Sequence, residues 1–190
     1  HDAVGHLGFV QEVLEFVRPI RLQVERTGVA EAIHGAIQLA DNKAVRGQIE
    51  VQATVTVGVP PIQADQQQLT QLIANLLINA YEAMDGRGTV TISAVGTRLD
   101  DGFEGRDAVR IELADNGPGM PPDVADHVFA PFFTTKPQGS GLGLAIVRKI
   151  VDAHDGQIDL ETAVGSGTRI RITLPVAGTE DIGTAIAVPR

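Results

Sequence analysis

Three groups of residues in this chain combine types and spacings that can do chemistry. Asn75 and Asn79 stand four positions apart, about 40° around a helix axis, so their side chains share one face. An amide oxygen is a hard, neutral donor suited to magnesium, which keeps several waters and takes its remaining bonds from phosphate oxygens and a few protein groups. Two ordinary surface amides would read the same way, although two Asn residues in one helix cost about 1 kcal/mol together against Ala and so ask for a reason. Asp115-Asn116-Gly117-Pro118-Gly119 sets a carboxylate beside two glycines. There it can accept a hydrogen bond from an amino group lying against bare backbone, such as an adenine ring presents. By itself the segment is equally a tight turn, because all its residue types favour turns. Gly139-Ser140-Gly141-Leu142-Gly143 runs directly into a helical pattern. Backbone amides freed by glycine, with the positive end of that helix, form a site for phosphate oxygens. Lys136 just before it and Arg148 one turn into the helix would add positive charge, Lys136 from the better position. The plainer reading is a flexible linker.

Rival nucleotide motifs fail on specific residues. Glu161 falls 20 residues after Gly141, as a dinucleotide fingerprint wants, but no strand leads into these glycines, and Leu144 or Ile146 stands where a third small residue is needed. No Gly-Lys pair occurs, so there is no P-loop. The five His residues show no metal-ligand spacing, and His154 reads as a helix-end residue favoured by the negative dipole end.

The elements that must position these groups follow from periodicity. Leu7, Val10, Leu14 and Val17 line one face of a short helix that closes at Arg18-Pro19. Thr27 can cap a second helix running to about residue 38, and residues 48–57 alternate as a strand does before Pro60-Pro61. From residue 66 to 84 a long helix carries Leu69, Leu72, Ile73, Leu76, Leu77 and Ala80 on one core-facing stripe. Residues 89–99 and 108–114 read as an antiparallel pair. Residues 131–143 are irregular and read as a mobile loop, a helix resumes over 144–153, and 157–162 and 168–174 are strands around Gly165-Ser166-Gly167. This order predicts an α/β two-layer sandwich, a mixed sheet covered on one face by helices.

Composition sets the outer limits. A chain of 190 residues, 43% hydrophobic, buries one sizeable core, and with 4% aromatics and no Trp that core is aliphatic. Zero Cys excludes disulfides and thiolate zinc sites. The net charge of −9, without a basic run, opposes nucleic acid and anionic lipid. No apolar stretch approaches the roughly 20 residues of a membrane helix, and no signal peptide opens the chain, so a soluble, cytoplasmic chain is expected, with a parent protein that could be anchored elsewhere.

In their order along residues 27–174 these pieces resemble the histidine kinase branch of the family that also contains gyrase, Hsp90 and MutL. Gln71-Leu-Ile-Ala-Asn75-Leu-Leu-Ile-Asn79-Ala80 resembles the family's N box, which implies that Asn79 holds magnesium and Asn75 lines the phosphate site. The resemblance of Asp115-Asn-Gly117-Pro-Gly119 to the first glycine box implies that Asp115 binds the adenine amino group. Phe129-Ala-Pro-Phe132-Phe133-Thr-Thr-Lys136 is similar to the phenylalanine box of the ATP lid, and Gly139-Ser-Gly141-Leu142-Gly143 to the second glycine box. Gly165-Ser-Gly167-Thr168 is similar to the last box, where Thr168 would support Asp115 through water. Phe-Phe-Thr-Thr-Lys, Tyr81-Glu82-Ala83-Met84 and Leu14-Glu-Phe-Val-Arg18-Pro19 are most similar to the nitrogen-regulation type.

The resemblance implies the Bergerat-type ATP-binding fold, with a mostly antiparallel sheet, and the activity of a protein-histidine kinase with ATP and Mg2+ as cofactors. Asn75 and Lys136 would act on the transferring phosphoryl group, the phospho-acceptor helical domain of a dimer would receive it, and a response regulator would be served. Two departures stand out. Glu82 replaces the Lys that many relatives carry three residues after the magnesium Asn, which motivates an alternative reading as a nucleotide-sensing module without kinase activity, and His154-Asp155-Gly156 replaces His-Gly-Gly. Upstream, His1-Asp2 followed by Leu7 faintly resembles the acceptor motif, with Gly5-His6 where Asn-Pro is usual. The expected organisation is therefore a piece cut just downstream of the acceptor helix: 1–26 the end of a helical hairpin, 27–176 the ATP-binding domain, 177–190 a tail.

Overall fold

The computed structural model describes residues 10–14, 16–99, 105–137 and 139–176. His1, Leu7 and the 177–190 segment lie outside them. Five strands form one sheet in the order β2 (Gln48–Val55), β4 (Arg87–Leu99), β5 (Arg106–Asp115), β7 (Thr168–Pro175), β6 (Gln157–Thr162). Only β2 and β4 run parallel; the other neighbours are antiparallel, giving the mixed sheet that the element order predicts. A second, two-stranded sheet pairs β1 (Glu25–Thr27) with β3 (Ile62–Ala64). Helices α1 (Val29–Lys43), α2 (Gln66–Ala83) and α4 (Gly143–Ala153) supply the apolar layer, and α3 is a single turn, Pro122–Ala125.

The core follows from two periodicities meeting. Val90 and Ile92 of β4, Ile111 and Leu113 of β5, and Ile170 and Ile172 of β7 alternate onto one face. Leu69, Leu72, Ile73, Leu76 and Leu77 of α2 close over it, each 2% exposed or less. The other face of the sheet is charged: Arg171 Nε donates to Glu112 Oε2 at 2.8 Å and its Nη2 to Glu161 Oε2 at 2.7 Å. The Arg171 guanidinium, with help from Arg169, holds the Glu161 carboxyl below its usual range. Glu161 thus belongs to a sheet-face ion pair.

Two local expectations change. Thr27 does not cap α1; it ends β1, and its hydroxyl donates to Ala64 O at 3.0 Å, while Gly28 is the N-cap residue without a side-chain bond. β1, β3 and α3 are too short to carry a periodic signal. The helical residues 10–14 and 16–17 do present Val10, Leu14 and Val17 on one stripe, but that stripe faces outward, 54%, 61% and 68% exposed. Val13 and Phe16 face the domain instead, and Lys149 Nζ donates to the carbonyls of Phe16 and Arg18 and lies 5.4 Å over the Phe16 ring.

Two buried polar links fix α2. Asp65 caps it by accepting from Gln67 N and Gln68 N, and the Asp65 amide donates to His154 Nε2 at 3.1 Å while His154 Nδ1 donates to Ile150 O. His154 is a helix-end residue as expected, yet because an N–H can only donate, its Nε2 serves as an acceptor. At the other end the Tyr81 hydroxyl, 1% exposed, donates to Asp41 Oδ1 at 3.0 Å. Burial first, and then the Asp41 carboxylate, push that hydroxyl well above the ordinary tyrosine range. Tyr81→Phe is expected to lower unfolding free energy by about 1 kcal/mol, the net value of one hydrogen bond; urea unfolding with an unchanged m-value checks it.

Candidate nucleotide site

α2 carries the two candidate amides. Asn75 lies at its buried edge, 9% exposed, where Gln71 Nε2 donates to its Oδ1 at 2.7 Å and its Nδ2 points to Gly143 O at 3.5 Å. Asn79, one turn on, faces the loop: Lys136 Nζ donates to its Oδ1 at 3.3 Å, and a Cβ on Gly143 would stand 3.5 Å from its Nδ2. The two amides therefore share a face but take different neighbours. Lys136 also pairs with Glu82, so the residue marked by its departure meets the lysine that the spacing singles out. Gln71 is a positioning residue that sequence reasoning leaves unassigned; its i, i+4 spacing to Asn75 is the available signal.

The carboxylate end is built by strand register. β5 and β7 pair Asp115 with Thr168, and β6 and β7 pair Thr168 with Thr162, one row across three strands. Asp115 Oδ1 accepts from Gly117 N at 2.9 Å and from Thr168 N at 3.2 Å. Thr168 thus supports Asp115 directly through its amide, and its hydroxyl lies 3.3 Å from that of Thr162. Thr162 is the residue missed here: it accepts from Met120 N and donates to Gly167 O. Counting outward from the Gly165-Ser166-Gly167 turn would have found it. Burial raises the Asp115 carboxyl above the usual carboxylate range, and the Gly117 and Thr168 amides pull against that rise.

Gly167, at φ +76°, backs onto this row so closely that a Cβ would stand 2.0 Å from Asp115 O. Gly119 packs against Ala163, and Gly165 N donates to Pro118 O at 2.7 Å, tying the Asp115 loop to the last hairpin. A cavity of about 300 Å³ borders Asp115, Gly167 and Thr168 together with Glu161 and Arg169 of the charged sheet face, and no residue of α2 or of the glycine-rich loop lines it. Met84, the C-cap of α2, connects the two ends, since a Cβ on Gly117 would stand 3.1 Å from its Cγ.

The loop itself is anchored at several points. Phe132 N donates to Gly141 O at 3.0 Å, and a Cβ on Gly141 would collide with Phe132 C at 2.5 Å. Gly139 N donates to Lys136 O. Leu142 is fully buried and its amide is held by Ser140 Oγ, so its side chain faces the core instead of the loop. Arg148 turns to Asp152 at 3.2 Å, one turn further along α4 and away from the glycines.

Residues 64–178 match the family described as histidine kinase-, DNA gyrase B-, and HSP90-like ATPase. The chain belongs to this ATPase family. Among curated members it is 35% identical to the sensor histidine kinase ZraS of Escherichia coli (strain K12), over 88% of this chain and 34% of ZraS. It is 44% identical to the sensory histidine kinase/phosphatase NtrB of Rhodobacter capsulatus, over 64% of this chain and 36% of NtrB. The chain spans about a third of the length of these relatives. A solved structure, full-length ShkA in complex with AMPPNP, superposes with a TM-score of 0.77 at 29% identity, covering 93% of this chain and 37% of that one. The mycobacterial sensor histidine kinase MprB gives 0.64 at 32%, covering 80% of this chain and 97% of that one. The family match covers β4 through β7 and two of the three helices of the apolar layer. Among the described residues no helix is long and apolar enough to cross a membrane.

Proposed function

We propose that this chain binds Mg-ATP and donates the γ-phosphoryl group to a His on a helical dimerisation domain in two-component signalling. One observation carries the nucleotide assignment: both amides that fix Asp115 fall on Oδ1, and among the described residues Oδ2 makes no hydrogen bond. A half-buried carboxylate so oriented suits the amino group of adenine. The phosphates would run along Asn75, Asn79, Lys136 and the amides of Gly139, Gly141 and Gly143 at the start of α4. The donor set fits magnesium, because Asn79 Oδ1 already accepts from a cationic ammonium, and magnesium draws its other ligands from phosphate and water. Bound there, the metal would neutralise phosphate charge.

Phosphoryl transfer depends mainly on positioning and charge neutralisation. Lys136 would neutralise charge on the transferring group and Asn75 would hold its oxygens. The acceptor and its acid belong to the helical domain, and the outward stripe Val10, Leu14, Val17 supports reading residues 1–26 as the end of that domain. We place the ATP-binding domain over 27–176 and the chain in the cytoplasm, where ATP is supplied. A response regulator is the expected downstream partner, as the structure of histidine kinase ThkA in complex with response regulator protein TrrA shows for ThkA.

Calorimetry with Mg-ATP tests the reading. The unaltered chain should bind, and Asn79→Ala should weaken binding about tenfold or more with Mg2+ but much less in EDTA, since the lost oxygen acts through the metal. Equal loss in both conditions would remove Asn79 from the metal site. The Glu82–Lys136 ion pair favours a second reading, a nucleotide-sensing module without transferase activity. Supplying an isolated acceptor domain with radiolabelled ATP decides between them, phosphohistidine favouring the kinase.

A further inference from the structure

Asn79 and Glu82 lie three positions apart near the end of α2, a spacing that sets both side chains on one helix face. Their oxygens converge on a single cation. Lys136 Nζ donates to Asn79 Oδ1 at 3.3 Å and to the Glu82 carboxylate. The ion pair is a surface one, its side chains 36% and 47% exposed, and such pairs have little net strength. The ammonium therefore marks a point where one neutral and one charged oxygen of the same helix face a cation, held by an interaction that exchanges readily.

The chemistry of that pair of oxygens is selective. Magnesium is held through one or two protein oxygens together with phosphates and waters, and it favours carboxylate over softer donors. Among the described residues no group of three or more His, Asp or Glu gathers as a self-sufficient metal cage. A site of this kind completes itself only when phosphates arrive, which suits a cation that enters with a nucleotide.

We propose that Glu82 is a second oxygen ligand of the divalent cation, sharing with Asn79 the position that the Lys136 ammonium takes in this structure; this rests on the nucleotide-binding reading above. The carboxylate supplies charge that an amide cannot, so the affinity of the site for metal depends on it. Exchange of the ammonium for the metal leaves Lys136 available to phosphate oxygens within reach of its flexible side chain. Lys136 is then both a competitor for the metal position and a phosphate ligand, and these two roles respond differently to substitution.

Titrating Mg2+, and Mn2+ followed by its electron paramagnetic signal, into the full chain with ADP measures the metal requirement independently of phosphoryl transfer. Glu82→Gln is expected to raise the half-saturating metal concentration about tenfold, because metal affinity follows ligand charge, while ADP affinity in EDTA is unchanged or higher. Glu82→Asp should fall between, and Lys136→Met should lower the half-saturating concentration by removing the competitor. A Glu82→Gln protein with wild-type melting temperature and unchanged metal requirement overturns the proposal and leaves nucleotide binding standing; if Glu82→Gln does not fold, a wild-type metal requirement in Glu82→Asp together with no gain in Lys136→Met overturns it equally. Failure of the unaltered chain to bind nucleotide with metal overturns both readings.

Discussion

Replacing Asp115 with Asn is expected to weaken ATP binding by roughly tenfold to a hundredfold, while the folded structure survives. The side chain keeps its shape and an oxygen to accept from Gly117 N and Thr168 N, but Oδ2 becomes an amino group that faces the adenine amino group donor to donor. The loss of one hydrogen bond to a charged acceptor is worth about 1.5–3 kcal/mol, and each 1.4 kcal/mol is tenfold in affinity. The pH dependence gives a second check. Burial raises the Asp115 carboxyl above its usual range, so in the free protein it takes up a proton at a higher pH than an ordinary Asp. Binding uses the ionised form, so affinity in the unaltered chain should fall as pH drops through that raised value, and the Asn variant should lose this slope. Stability has the opposite sign: the folded state holds the proton more tightly than the unfolded one, so the contribution of Asp115 falls as pH rises from the unfolded to the folded value. At neutral pH Asp115→Asn should therefore be no less stable than the unaltered chain. Titration calorimetry across pH, with thermal melts of the same samples, measures both.

Gly167→Ala is expected to be among the costliest single-methyl changes in the domain. The backbone at φ +76° is one that L side chains rarely adopt, and the added Cβ would stand 2.0 Å from Asp115 O and 3.2 Å from Asn116 Cα. The conformational part costs about 1–2 kcal/mol, and the collision is with backbone, which cannot swing away. A total of about 3 kcal/mol is expected, or roughly 10 °C in melting temperature for a domain of this size. Relief of the collision must part β5 from β7, so Thr168 N leaves Asp115 and ATP binding falls with stability. Gly165→Ala is the control, since it shares the positive φ, at +79°, and would meet nothing within 4 Å. If the two substitutions cost the same, the backbone collision is not what matters.

How much of this was legible without coordinates depends on the range of the interaction. The stripe of α2, the Asn75–Asn79 face and the start of α4 at the second glycine segment are local patterns, and the structure has them within a residue or two. Thr27 went the other way because its hydroxyl finds Ala64 O, 37 positions distant, and no local rule weighs a capping bond against a strand partner that far off. Likewise the stripe Val10, Leu14, Val17 was correctly grouped, but grouping residues on a face does not say which way the face points. Thr162 was missed because its value lies in a cross-strand row.

What the residues determined alone was the inventory: a carboxylate beside glycines, amides at helical spacing, a glycine-rich segment ahead of a helix, and an alternation that makes strands pair. These follow from backbone geometry and side-chain chemistry, which act over a few residues. Tertiary structure decided the pairings. Only the sheet register sets the Thr168 amide on Asp115, and only the packing of the loop over α2 brings Lys136 between Asn79 and Glu82. Contacts between groups more than 50 positions apart depend on how a whole core closes, and that information is held by the packing of many side chains at once.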